Sequence, residues 1–300
     1  MCSHTEAGCD FISGVIWKEP VFCHSDSPSF ADIMTMEGQP TEKPIALFLY
    51  SAVSTPSFSL SVIASAMSLL FSIILYYKDI VKERVHDNEK IIIVSPSGGI
   101  NANFFYPKRF NRDNRGIYHL GYVGRIDPCK GWREFIEALY RLPNEFNYRA
   151  TIIGYGSEVE YLKEYLRRDE RHRIDYMPKV AHEELRNYYS QFDILLFPSM
   201  RKEESLGLVG IEAMACGTPI IGSNIGGIPS YLTHKETGYL IEPGDIEQIT
   251  KYIIEYSQLD EEKKESYYKN CITTSKLYYS EKVLKDLAES FRALFDKDCN

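Results

Sequence analysis

Apolar and polar positions follow one another most regularly from Tyr118 onward, where short apolar runs alternate with longer stretches of helical period. The runs predict strands near Tyr118–Val123, Tyr148–Ile153, Arg173–Met177, Asp193–Pro198, Pro219–Gly222 and Tyr239–Ile241. Helices are expected between them, near Trp132–Leu142, Glu158–Arg168, His182–Ser190 and Leu208–Cys216. Continuous apolar strands separated by helices imply a parallel, doubly wound α/β sheet covered on both faces. Sheets of this kind take ligands beyond the carboxyl ends of their strands. From Asp245 the pattern predicts three charged helices and no strand.

The chain before Tyr118 is less regular. Pro44–Tyr77 carries no charged residue and no histidine, and Ser57–Tyr77 is long enough to cross a bilayer. Recurrent serines through Ser51–Ser68, Pro56, and the β-branched and aromatic run Phe71–Tyr76 favour a different division. It gives a strand at Ile45–Tyr50, a helix over about Ser57–Leu70 and a strand at Phe71–Tyr76, all buried in an α/β domain. Lys78–Asn88 reads as an amphipathic helix and Glu89–Val94 as a buried strand, before the turn residues Ser95-Pro96-Ser97-Gly98-Gly99. The polar, basic stretch 107–117 reads as a linker. The expected organisation is therefore a first domain over 1–106, the linker, and a second domain over 118–280 followed by a helix over 281–300.

Composition narrows the function classes. The 300 residues are 44% apolar and 25% charged, enough for a sizeable core in one large domain or two medium ones. With 42 acidic and 34 basic residues the net charge is -8, which argues against general nucleic-acid binding and leaves room for a local basic pocket. Seven scattered cysteines without a Cys-x-x-Cys pair suit neither a disulfide framework nor a zinc site, so a reducing cytoplasm is expected. No basic stretch followed by an apolar one opens the chain, so no secretory signal is expected.

Three stretches could carry chemistry. In Gly121-Tyr122-Val123-Gly124-Arg125…Lys130-Gly131, a strand ends and two cations flank a loop before a helix. Fixed cations beside a helix N-terminus suit a diphosphate; the alternative is a solvated arginine and a surface lysine. In Pro198-Ser199…Glu204…Gly207-Leu208…Glu212…Gly217-Thr218-Pro219, a buried strand leads through a charged loop into an apolar helix bearing one acid. Residues eight apart on one helix would differ by about 80° in direction. Glu204 and Glu212 can therefore share a cleft only if the helix begins near Gly207. Glu212, among Val209, Ile211 and Met214, is costly to bury unless it finds donors such as sugar hydroxyls. The alternative makes Glu204 an acid at a helix dipole and Glu212 a surface glutamate. In Gly222-Ser223-Asn224-Ile225-Gly226-Gly227-Ile228-Pro229, paired glycines could admit a ligand close to backbone amides or could form a plain turn. The histidines, His182 among them, form no ligand cluster, and Cys216 reads as a small core residue; His24 reads as a surface-loop group or one facing a cleft.

In order and spacing, Gly-Arg-x4-Lys-Gly, Pro-Ser, Glu-x7-Glu, Gly-Gly-Ile-Pro and Thr237-Gly238-Tyr239…Pro243-Gly244-Asp245 resemble the donor-binding half of the group 1 retaining glycosyltransferases of the GT-B fold. The resemblance runs from about Leu120 to Asp245. It implies two Rossmann-like domains with parallel sheets across a cleft, transfer of a sugar from a nucleoside-diphosphate sugar with retention, and no metal or other cofactor. It also implies that Arg125 and Lys130 hold the diphosphate, Glu212 takes the ribose hydroxyls, and Glu204 contacts the transferred sugar as the catalytic residue. The amides of Gly207 and Leu208 would meet phosphate or sugar, and the helix over 281–300 would pack back toward the first domain.

Over 1–106 the resemblance is thinner. Pro96-Ser97-Gly98-Gly99-Ile100-Asn101 is similar to the end of the family's first domain, but its usual opening strand and glycine-rich loop have no counterpart, so that domain is expected to be incomplete. The implied partners are a nucleotide-sugar and a glycan or lipid-linked acceptor, in polysaccharide or lipopolysaccharide assembly, with no nucleic acid. The expected location is cytoplasmic, extending to the inner membrane surface. Two further readings stay open: a donor-binding remnant without transfer activity, and a membrane-anchored assembly component.

Overall fold

The computed structural model describes residues 71–73, 92–108, 116–169, 173–202 and 204–295, all within one compact unit over 69–300. The readings on Ile45–Tyr50, Ser57–Leu70, Lys78–Asn88, His24 and most of the 107–117 linker lie outside these residues. Two short strands, β1 (Phe71–Ile73) and β2 (Ile92–Val94), pair in parallel. Phe71–Ile73 is therefore strand, as the strand-helix-strand division of Pro44–Tyr77 expects. Among the described residues no helix is long and apolar enough to cross a membrane.

The main sheet has six parallel strands: β3 (Tyr118–Val123), β4 (Tyr148–Ile153), β5 (Ile174–Met177), β6 (Ile194–Phe197), β7 (Ile220–Ser223) and β8 (Gly238–Ile241). Their spatial order is β5-β4-β3-β6-β7-β8. Successive side chains enter opposite faces of a strand, and here both faces are dry. Leu120, Tyr122, Ile152, Leu196 and Ile221 join one core, with helices α1 (Trp132–Tyr140), α2 (Val159–Leu166) and α5 (Ile246–Ser257). Val123, Ile153, Leu195, Phe197 and Ile220 join the other, with α3 (Leu185–Tyr189) and α4 (Leu208–Ala215). The apolar runs lack strict alternation because neither strand face meets water.

The helices follow from spacing and caps. In α1, Trp132, Phe135, Ile136 and Leu139 are buried at helical intervals. Asp245 caps α5 by accepting from Gln248 N at 2.9 Å, and Asp260 caps α6 (Glu261–Ser275) by accepting from Lys263 N at 2.7 Å. The expected helix over His182–Ser190 is split into a 3-10 turn, His182–Glu184, and α3. The three tail helices are α5, α6 and α7 (Ser280–Phe295). Ile100 ties the segment after β2 to the start of α7, donating to Tyr278 O at 2.8 Å and accepting from Ser280 N at 2.9 Å.

Gly131 fixes how α1 leaves the sheet. It has φ 81, and a Cβ there would fall inside contact distance of the Pro198 carbonyl oxygen at the end of β6. A left-handed conformation alone costs a non-glycine residue about 1–2 kcal/mol, and the clash adds to it. Gly131→Ala should therefore lower unfolding free energy by more than about 2 kcal/mol. Gly98→Ala, where an added Cβ meets nothing within 4 Å, should leave it unchanged. Urea unfolding of the two variants checks this, and equal midpoints would contradict the close approach at Pro198.

Candidate functional site

Strand order reverses between β3 and β6, and the loops that leave their carboxyl ends build one site. After β3, the buried Tyr122 hydroxyl lies 3.0 Å from both the Arg125 and Lys130 carbonyl oxygens, stapling the two ends of the loop from below. Burial, and then the Glu204 charge, hold this phenol well above its ordinary pKa, so it stays a neutral donor. Asp127 ties the loop sideways, accepting from Ser157 N at 2.7 Å and Ser157 Oγ at 2.9 Å. Its second oxygen accepts from Arg125 Nε. Burial pushes the Asp127 pKa up, but the Ser157 and Arg125 donors outweigh it and hold the carboxyl below its usual value. Arg125, expected on a diphosphate, is here paired with Asp127 and 62% exposed on its side chain.

The loop after β6 faces it. Met200 N donates to Cys129 O at 2.8 Å, joining the two loops by backbone. Lys130 Nζ lies 2.7 Å from Glu204 Oε2, and Ser199 Oγ donates to the same oxygen at 2.8 Å. Glu204 Oε1 carries no hydrogen bond among the described residues. Lys130 and Glu204 keep 17% and 9% of their side-chain surface, so their attraction is less screened than that of a surface pair. The paired glycines explain how Glu204 is seated. Gly226 has φ 58, a Cβ on it would strike the Glu204 carbonyl oxygen, and Gly227 N donates to that oxygen at 3.1 Å. The close approach these glycines make is to the Glu204 backbone.

Helix α4 begins at Leu208 with Gly207 as its left-handed N-cap, so Glu204 lies on the approach loop and Glu212 in the second turn. Glu212 is buried, 4% exposed. Its donors are protein groups. His182 Nε2 is 2.8 Å from Oε1, and the Tyr189 hydroxyl donates to Oε2 at 2.9 Å. The Phe105 ring meets His182 edge-on at 5.0 Å. The hydrogen bond to Glu212 raises the His182 pKa against the opposing effect of burial.

Lys130 and Glu204 thus meet directly. Arg125 shares their loop cluster, Gly207 and Leu208 open the adjacent helix, and Glu212 forms a second cluster with His182 and Tyr189. Sequence reasoning passed over Asp127, His182 and Tyr189. The one available signal was Glu212 itself, an acid in an apolar helix that must find donors; nothing local marks His182, thirty positions away. Among the described residues no three His, Cys, Asp or Glu side chains converge as metal ligands; the Asp-x-Asp of the sequence, Asp296-Lys297-Asp298, lies outside them.

Residues 108–273 match the family model described as "Glycosyl transferases group 1". D-inositol 3-phosphate glycosyltransferase of Paenarthrobacter aurescens is 29% identical over 168 residues, covering 52% of this chain and 40% of the relative. Glycogen synthase of Mycobacterium tuberculosis is 33% identical over 146 residues, covering 47% of this chain and 34% of the relative. The chain thus spans well under two thirds of the length of these relatives. Sucrose-phosphate synthase of Thermosynechococcus elongatus superposes with a TM-score of 0.64 at 24% identity, covering 83% of this chain and 66% of that one. The Anabaena protein HepE in complex with UDP-glucose gives 0.62 at 20%, covering 75% and 64%. These neighbours establish the α/β fold as that of the GT-B enzymes.

The two histidine environments give a pH signature. The folded pKa of His182 is raised above the unfolded value of about 6.5. Its stabilising contribution is fully present below that pH and is lost as pH rises through the raised value. His119 has the opposite sign: burial, then Arg149, lowers it to about 4, so it withdraws stability as pH falls from 6.5. Comparing wild type with His182→Gln removes the His119 contribution from the difference. The difference in urea midpoint should be larger at pH 6 than at pH 8.5; a difference independent of pH would mean that the His182–Glu212 contact is absent in solution.

Proposed function

The chain belongs to the group 1 glycosyltransferases, and from that membership we propose that it transfers a sugar from a nucleoside-diphosphate sugar to a glycan or lipid-linked acceptor with retention of configuration. The acceptor hydroxyl forms the new bond to the sugar anomeric carbon. The bond from that carbon to the phosphate oxygen breaks, and the hydroxyl proton leaves with the diphosphate. The observation that carries the reading is the meeting of Lys130 and Glu204 where strand order reverses, the place at which doubly wound sheets take nucleotides. Lys130, Arg125 and the amides at Gly207 and Leu208 would neutralise charge developing on the leaving diphosphate, in place of a metal ion. Glu204 Oε1 would receive a hydroxyl of the transferred sugar, and Glu212 the ribose. HepE, solved with UDP and with UDP-glucose, supports a uridine nucleotide as the first probe. A lipid-linked acceptor in polysaccharide or lipopolysaccharide assembly would bring the protein to the cytoplasmic face of a membrane.

Titration calorimetry of the full chain with UDP-glucose should show binding that Lys130→Ala weakens roughly ten- to a hundredfold, the worth of one charged contact. Equal affinity in both proteins would remove Lys130 from the site. Glu204→Gln should cut donor hydrolysis or transfer roughly a hundredfold while donor affinity changes little, because positioning acts on the barrier. Turnover should persist in EDTA; loss in EDTA with recovery on adding magnesium would refute the metal-free mechanism. A chain that binds donor yet neither transfers nor hydrolyses it would favour the donor-binding remnant.

A further inference from the structure

Glu212 is nearly sealed within the protein, whereas the His182 side chain above it remains 56% exposed. We propose that His182 is a positioning residue for nucleotide ribose: together with Tyr189 it holds the Glu212 carboxylate so that one free acceptor site on each oxygen faces a vicinal diol. This rests on the donor-site reading given above and assigns a role to a residue outside the motifs that support it.

The lone pairs of the carboxylate decide what Glu212 can still accept. An ionised carboxylate offers about four acceptor positions, two on each oxygen. His182 occupies one on Oε1 and Tyr189 one on Oε2, at 2.8 and 2.9 Å. One position per oxygen is left, which is the arrangement that two adjacent hydroxyls require. A carboxylate oxygen only accepts, so His182 donates from Nε2 whether it is neutral or charged, and the contact selects the Nε2–H tautomer of the neutral ring.

The two holders are themselves held. Tyr189 is fully buried, and its carbonyl accepts from Thr218 Oγ1 at 2.6 Å. Burial, and next the Glu212 charge, keep its phenol far above the ordinary range, so it remains protonated and donating. His182 sits at the start of a 3-10 turn, with the Phe105 and Phe104 rings edge-on at 5.0 and 6.5 Å. The charged groups acting on it are Glu212 from α4 and Glu183 from its own turn. No cation among these competes with it for the carboxylate. Without His182, Glu212 would keep a single donor on one oxygen, and rotation about its terminal torsion, which is broad for carboxylates, would no longer be fixed.

The consequence is specific to the hydroxyls. A site built to hydrogen-bond a hydroxyl rejects the analogue that lacks it, because the buried acceptor is left unpaired. UDP and 2′-deoxy-UDP differ in one of the two hydroxyls that Glu212 would take. Calorimetry on the full chain should show UDP binding the wild type roughly tenfold or more tighter than 2′-deoxy-UDP. In His182→Ala the ratio should fall below about threefold, chiefly through weaker UDP binding. His182→Gln, which retains an N–H donor, should recover part of the ratio, and Tyr189→Phe, which removes the other donor but keeps the ring, should lower it. A purely structural histidine would change both nucleotides equally, so an unaltered ratio in His182→Ala and Tyr189→Phe overturns the proposal. A wild type that binds neither nucleotide overturns the donor-site reading itself, a different and separately visible result.

Discussion

Everything at the site depends on two neighbouring parallel strands whose chains depart to opposite faces of the sheet. After β3 the chain turns into α1, whose apolar residues join one core; after β6 it turns into α4, whose residues join the other. Neither connection covers the gap between the two strand ends, so the gap must be lined by side chains of the two loops. Their backbones come close enough for Met200 N to donate to Cys129 O, and only a residue without Cβ fits at position 131 beneath them. Lys130 is the next residue back, and its ammonium therefore projects over the β6 loop that carries Ser199 and Glu204. The ion pair is a product of topology before it is a product of charge.

The same topology buries two acids, and each is compensated in its own way. An unpaired carboxylate away from water is strongly unfavourable. Glu204 receives a cation and a hydroxyl on a single oxygen, and among the described residues no donor reaches the other. Glu212 receives two donors from uncharged or titrating groups, one on each oxygen. The first arrangement keeps one face of the carboxylate for an outside hydroxyl, and the second keeps one lone pair on each oxygen. Burial alone would not distinguish the two acids; the placement of their donors does.

Much of the fold was legible in the sequence because a parallel sheet buried on both faces writes itself as continuous apolar runs. Tyr118–Val123 and Tyr148–Ile153 are strands over those same residues, and the other four strands differ at their ends by one residue. The start of α4 next to Gly207 was legible from the glycine and the change of pattern. The stretch His182–Ser190 was less so, since its first turn is 3-10 and exposed, with no apolar stripe to mark it. At the site, Arg125, Lys130 and Glu204 were found, whereas His182 and Tyr189 were not: they act on Glu212 thirty and twenty-three positions away, a distance that only the folded sheet closes. Asp127 was missed although it lies two positions from its partner Arg125, because its other partner, Ser157, is thirty positions away. The Gly226-Gly227 pair shows the converse: its local signal was plain, but its close neighbour is the Glu204 backbone.

A chain of net charge -8 must recognise an anion, on the donor-site reading, against its own mean field. Long-range steering cannot help, because charges beyond roughly 10 Å are screened at physiological salt. Recognition then rests on cations within reach of the strand ends, and two of them are paired within the protein: Lys130 with Glu204 and Arg125 with Asp127. Keeping each cation beside a carboxylate holds the loops in place without a buried unpaired charge. On that reading, binding would also be an exchange. A diphosphate drawing on Lys130 would weaken the donor on Glu204 Oε2, and a sugar hydroxyl would supply a new one to the same carboxylate. Diphosphate alone would leave Glu204 short of a donor, and sugar alone would leave Lys130 where it was. The pair would therefore favour a ligand that carries phosphate and sugar together over either part separately, which is the discrimination a transferase acting on nucleotide-sugars requires.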